Sequence, residues 1–256
     1  MDIIVVSAVA LIASGLTLFS GFGLGTLLLP AMLLLLPPEV AVAATAVVHL
    51  TNNLLKIALF GRHCRKDVLI SFGGVAIVAA FFGAQLLTQL TQLPPLASYM
   101  LAGRELEIVP VKFVISVLIL SFAIFDLSPS KEKTQFGPSL LPVGGLVSGF
   151  LGGLSGHQGA MRSAFLASSG LTKEAFIGTG VTIACLVDVT RLAVYGVHFS
   201  SIGNENFSLI LAACTSAFLG VFIGQRVLKK VAMKMIQKIV GIGLVLLSVA
   251  LGGGLL

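Results

Sequence analysis

Apolar residues run in ten blocks along this chain. Five occupy 3–19, 24–36, 39–60, 68–90 and 109–127; five more occupy 139–155, 159–171, 174–195, 207–228 and 238–255. A polar connection, 128–138 (SPSKEKTQFGP), separates the two sets. The blocks lack the period-2 alternation of an outer-membrane barrel. Several reach the roughly 20 residues that cross a bilayer as a helix. Lipid offers the backbone no hydrogen-bond partners, so these blocks must satisfy themselves as helices. The expected fold is an all-α polytopic membrane protein.

The two sets match each other at a fixed offset of 135 residues. KIALFGRH (56–63) falls on RLAVYGVH (191–198), so that Lys56 meets Arg191 and His63 meets His198. The same offset pairs Glu39 with Glu174, Asn53 with Asp188 and Gly21 with Gly156, without a gap from 21 to 63. Shared apolar composition does not produce matches between polar residues of these kinds. The chain therefore divides into a first membrane repeat (1–128), a cytoplasmic linker (129–138) and a second membrane repeat (139–256).

Loop charge gives the orientation, because short loops rich in Lys and Arg stay in the cytoplasm. Connection 61–67 holds Arg62, Arg65 and Lys66, whereas its counterpart 196–206 holds no Lys or Arg. Connection 226–238 holds Arg226, Lys229, Lys230, Lys234 and Lys238, whereas 91–112 balances Arg104 and Lys112 against Glu105 and Glu107. Equivalent loops thus face opposite sides, the pattern of inverted repeats in secondary transporters. Both termini are expected outside. Segments 3–36 and 139–171 must then enter the membrane and return, as re-entrant or half-helix pairs broken at GFGLG (21–25) and GGLSGHQG (152–159), each followed by three spanning helices.

Composition agrees. Hydrophobic residues make up 57% of the chain and charged residues 10%, against about a quarter charged in soluble domains, and mean hydropathy is +1.07. The formal charge of +6 sits in short connections, where it orients the chain and does not mark a nucleic-acid partner. Cys64, Cys185 and Cys214 stand far apart, which indicates neither a disulfide framework nor a zinc site. No metal or other cofactor is expected. The start, MDIIVVSAVALIASG, has no basic n-region, so no cleaved signal peptide is expected. The expected location is the inner (plasma) membrane as a multi-pass protein in the lipid bilayer; the reading admits a homodimer.

The chemistry lies at the breaks and on two polar stripes. A glycine break in lipid leaves backbone groups that only protein or a watery cavity can satisfy. The half-helix that follows presents its positive end and free N–H groups to an anion. The glycines in both breaks cluster and are read as binding elements, whereas Gly220 and Gly224 in GVFIG suit helix packing. On 39–60, Thr45, His49, Asn52, Asn53 and Lys56 share one helix face; on 174–195, Thr182, Cys185, Asp188 and Arg191 do the same. Charge within a membrane faces the bundle interior. The expected substrate-binding set is Gly21, Gly23, Gly25 and Thr26 at the first break, and His49, Asn52, Asn53 and Lys56 on the first stripe. Gly156, His157, Gln158 and Arg162 join it at the second break, with Asp188 and Arg191 on the second stripe. Competing structural readings are snorkelling for Lys56, mutual neutralisation for Asp188 and Arg191, and packing for His49. Glu39 and Glu174 suit the first turns of helices.

These residues resemble the TauE/SafE family of sulfite-exporter-like transporters. The resemblance covers nearly the whole chain. It rests on GFGLGTLLLP, on PPEVAVAATAVVHLTNNLLK with its basic loop, and on the second glycine cluster followed by LTKEAFIGTG. At GHQGAMR, His157 and Gln158 stand where the family usually has small residues. The resemblance implies export of a small sulfur-containing anion such as sulfite or a short organosulfonate like sulfoacetate. Composition and spacing alone suit any small oxyanion or carboxylate. A membrane enzyme acting on a lipid phosphate is the alternative, but no nucleophile or His/Asp/Glu cluster supports catalysis.

Overall fold

A computed structural model describes residues 2–16, 24–101, 103–128, 136–167, 169–198, 204–227 and 233–256. Gly21, Gly23 and most of the linker lie outside the described residues. The first half runs α1 (Asp2–Leu16), α2 (Leu24–Leu33), α3 (Pro38–Phe60), a short turn α4 (Lys66–Val68), α5 (Gly74–Leu90) and α6 (Pro110–Leu127). The second runs α7 (Leu141–Ser155), α8 (Gly159–Ala167), α9 (Lys173–His198), α10 (Asn204–Val227) and α11 (Met233–Gly252). A π turn, Leu69–Gly73, joins α4 to α5. The observed order follows the hydrophobic blocks one for one. Among the described residues, five stretches are long and apolar enough to cross a membrane: Pro38–His63, Lys66–Leu90, Pro138–Ser155, Lys173–Gly196 and Asn206–Ile223. Large side chains such as Ile4, Ile70 and Phe207 point outward, as a lipid solvent favours.

Local sequence explains the helix boundaries. Pro38 opens α3, where a missing N–H costs nothing. Glu39 and Glu174 occupy the first turns of α3 and α9, where a carboxylate complements the positive helix end. The helices α2 and α8 have only 10 and 9 residues. At 1.5 Å per residue each spans about half a hydrocarbon core.

The two halves interlock. The helix α5 lies along α7, α1 along α10, α3 against α9 and α6 against α11, so every one of these pairs takes one helix from each half. Small residues allow the closest approaches. A Cβ on Gly145, Gly149 or Gly153 would overlap the backbone of Phe72 in the π turn or of Ala76 or Ala80 on α5, and one on Gly220 would overlap Leu11 on α1. Within the second glycine cluster, read from sequence as a binding element, Gly153 is a packing residue. Gly153 ends a stripe that recurs every four residues along α7, and that stripe serves packing.

One element departs from the helical expectation. Residues 97–101 and 104–108 pair as an antiparallel hairpin, β1 and β2, turning at Gly103, whose φ is 78°. Tyr99 donates a hydrogen bond to the Gly253 carbonyl and Lys112 donates to Leu256 O at 2.8 Å, so the hairpin and the start of α6 tie down the residues that follow α11.

The glycine stripe gives a direct test. Gly149→Val should force α5 and α7 apart, and overpacking of this kind costs about 1–3 kcal/mol. Gly74→Ala, whose new Cβ meets nothing within 4 Å, should leave stability unchanged. Thermal melting of the two variants in detergent checks this; equal melting temperatures would contradict the packing role.

Candidate functional site

The centre of the bundle is built around Arg191. Its side chain on α9 is 0% exposed. Nε and Nη2 donate to Asp188 Oδ1 at 3.0 and 2.8 Å, the i,i+3 pairing that the spacing predicts. The other carboxylate oxygen is occupied from α3: His49 Nδ1 lies 2.6 Å from Asp188 Oδ2. A carboxylate only accepts, so Nδ1 carries the proton and donates it. Asn53 Nδ2 lies beside the same ring, 3.1 Å from Nδ1 and 3.4 Å from the remaining ring nitrogen, Nε2. His49, Asn53 and Asp188 are all buried, and two of them occupy the equivalent positions 53 and 188.

The breaks converge on the same guanidinium. Gly156 caps α7 with a φ of 81°, and its N–H donates to the Gly152 carbonyl at 2.9 Å. This is left-handed backbone that glycine adopts without strain. A Cβ there would also lie 2.5 Å from Arg191 Nη1. Across from it, a Cβ on Gly25 would lie 3.1 Å from the Gly156 carbonyl oxygen and 4.0 Å from Thr45 Cγ2. The start of α2 and the end of α7 therefore meet beside Arg191, although the two breaks are far apart in sequence.

The start of α8 supplies further polar groups. Gln158 is wholly buried; its carbonyl accepts from Ser148 Oγ at 3.1 Å and its Oε1 accepts from Arg162 Nη1 at 3.0 Å. His157 places Nδ1 3.1 Å from Ser155 Oγ and stacks on Phe122 of α6 at 5.5 Å between ring centres. Arg162 is half-buried and within electrostatic reach of Lys56, His49 and Asp188. Lys56 is 6% exposed, which removes the snorkelling reading and keeps the ammonium inside the bundle. Asn52 accepts from Ser14 of α1 at 2.9 Å, and Thr26 is buried on α2.

Several atoms here have no partner in the described structure: Thr45 Oγ1, Asn52 Nδ2, His157 Nε2, Gln158 Nε2 and Arg191 Nη1. Three of the five can only donate. An unmet buried donor costs about 1–3 kcal/mol, more when charged, so the centre calls for an acceptor. Its charge points the same way: among the described residues the centre holds three cations, Lys56, Arg162 and Arg191, and one carboxylate, Asp188. A groove of ≈ 380 Å³ lined by Val9, Leu27, Leu34, Leu244 and other apolar side chains of α1, α2 and α11 contains none of these residues and has no means of recognising an anion.

The sequence profile described as "Sulfite exporter TauE/SafE" matches residues 6–251. The chain belongs to this family. TauE/SafE proteins are membrane transporters of the sulfite- and anion-exporter type, not enzymes, and this chain is a multi-pass membrane protein of that kind. Comparison with curated proteins and with solved structures finds no match. For this TauE/SafE chain, Gly25, His49, Asn53, Gly156, His157, Gln158, Arg162, Asp188 and Arg191 lie close together, with Lys56 within electrostatic reach of Arg162; Thr26 and Asn52 are buried on α2 and α3, and Gly21 and Gly23 lie outside the described residues. Sequence reasoning missed Ser14, Ser155, Phe122 and Tyr195; the last donates a hydrogen bond to the Gly153 carbonyl. Ser14 left a trace as a polar residue in an apolar helix, and Ser155 and Tyr195 lie within the break and the repeat already singled out.

The Asp188–Arg191 pair can be tested by a double-mutant cycle. Removing one member of a buried pair costs about 3–5 kcal/mol, whereas replacing both is far milder. Asp188→Asn and Arg191→Gln should each lower the melting temperature strongly, and the double variant should recover most of the loss. A double variant no more stable than either single one would show that the pair is not the unit that matters.

Proposed function

We propose that the protein is a secondary transporter that exports a small anion, sulfite or a short organosulfonate such as sulfoacetate, by alternating access around the Arg191 centre. The observation that carries this reading is the set of unpartnered donors beside three cations and one carboxylate. A sulfonate or sulfite group presents several acceptor oxygens and negative charge, and so answers both demands at once. The binding set is the one expected from the sequence: Gly21, Gly23, Gly25, Thr26, His49, Asn52, Asn53, Lys56, Gly156, His157, Gln158, Arg162, Asp188 and Arg191. Placement in the inner (plasma) membrane belongs to the same proposal.

Alternating access needs two elements that rock against each other, and inverted repeats over 1–128 and 139–256 would supply them. Three features support this arrangement: the offset of 135 with its polar matches, the recurrence of helix order, and the opposed loop charges. In the proposed topology both termini lie outside and the linker 129–138 is cytoplasmic.

Binding tests the centre. Lys56→Gln removes a charge-assisted hydrogen bond worth about 1.5–3 kcal/mol if the ammonium meets the anion. That corresponds to a roughly 10- to 150-fold weaker Kd for sulfoacetate or sulfite, measured on a monodisperse variant. An unchanged Kd would take Lys56 out of the site.

Accessibility tests the topology. Single cysteines are placed at Arg62 and Ser201 in a background without native cysteines. An impermeant thiol reagent on intact cells should label position 201 and leave position 62 unlabelled. Equal labelling would rule out the inverted arrangement.

A further inference from the structure

We infer that His49 is a proton site filled as the anion binds, so that the transporter carries a proton together with each anion. The inference rests on the anion-carrier reading above and names its coupling ion. Asp188 fixes one ring nitrogen of His49 as a donor, at 2.6 Å. Nε2 is then the nitrogen that can gain a proton. The Asn53 amide stands beside the ring, its nitrogen 3.1 Å from Nδ1 and 3.4 Å from Nε2.

The surrounding charges set the coupling. On α9, the Asp188 carboxylate lies 2.6 Å from Nδ1 and carries the Arg191 guanidinium on its other oxygen. From α8, the Arg162 guanidinium is also within electrostatic reach of the ring. On α3 itself Lys56 lies two turns further along. Cys185 lies on the same face of α9, Tyr195 of α9 donates to the Gly153 carbonyl, and Cys214 of α10 lies near Thr51 on another side of α3. Residues 24–33 of α2 carry no titratable side chain, and Arg62 and His63 lie beyond the end of α3. In the empty site the two guanidiniums oppose a further positive charge. An anion seated against Arg191 and Arg162 cancels that opposition, and the proton then completes the charge balance. By linkage, a proton that follows the anion must in turn tighten anion binding.

The charge count remains compatible with export. The proton joins Nε2 when the anion enters and leaves with it on the other side; no covalent bond changes. A dianion with one proton still takes a negative charge out of the cell, in the direction an interior-negative potential favours.

Sulfoacetate is a suitable probe because its charge is constant from about pH 5.5 to 8, well above ordinary carboxylate values. Calorimetric titration of the purified full-length protein, in two buffers of different ionisation enthalpy, gives the number of protons taken up with the anion. The wild type should take up protons. Its affinity should weaken toward about tenfold per pH unit on the alkaline side. His49→Asn keeps an N–H for Asp188 but no titrating nitrogen. Its proton uptake should vanish and its affinity should be flat with pH, whatever the absolute Kd. Anion binding by the wild type without proton uptake overturns the inference and leaves the anion carrier standing; this arm does not depend on the variant folding. Undiminished uptake in His49→Asn also overturns it and moves the proton to another group such as His157. Failure of the wild type to bind sulfoacetate or sulfite overturns the carrier reading and the proton inference together.

Discussion

A guanidinium withdrawn from water inside a membrane bundle is tolerable only when charge and hydrogen bonds meet it. Arg191 imposes that constraint here, and much of the centre follows from it. Asp188 must sit three residues earlier to neutralise it. His49 must reach across from α3 to complete the carboxylate. Gly156 must lack a Cβ so that the guanidinium can lie against the end of α7. Because these groups come from α3, α7 and α9, the ion pair fixes where helices from both parts of the chain meet. One carboxylate, shared as an acceptor between Arg191 and His49, does not balance Lys56, Arg162 and Arg191, and the centre is left short of negative charge.

The outline of the fold was legible because bilayer chemistry is demanding. Each hydrophobic block had to be a helix, and each became one. Polar stripes on α3 and α9 had to point inward, since charge facing lipid is too costly; His49, Lys56, Asp188 and Arg191 are all buried. The Asp188–Arg191 pair could be read from helical spacing alone. The bond between His49 and Asp188 could not, because the residues stand on different helices and spacing reports only neighbours along one.

The glycines show the limit more sharply. GGLSGHQG looks like a simple break, yet its members have different duties. Gly153 completes the contact with α5, and Gly156 takes a left-handed turn beside Arg191. A sequence records that a side chain is absent, not whether a neighbouring backbone, a turn or a ligand requires the absence. The hairpin at 97–108 was hidden for another reason. Its strands are short and mostly exposed, and their alternation is weak beside the strong signals of the flanking helices.

The crossed pairing of α1 with α10 also has a consequence for biosynthesis. Nearly two hundred residues separate the end of α1 from the start of α10. At roughly 5–20 residues per second, α1 enters the membrane some 10–40 s before its neighbour is made. During that interval the face destined for α10, where Gly220 will press on Leu11, is covered by lipid or by the insertion machinery. The α5–α7 pair closes earlier, since its members are closer in sequence. Assembly is therefore ordered from the middle of the chain outward, and a nascent chain halted at the linker lacks the partners of both α1 and α5.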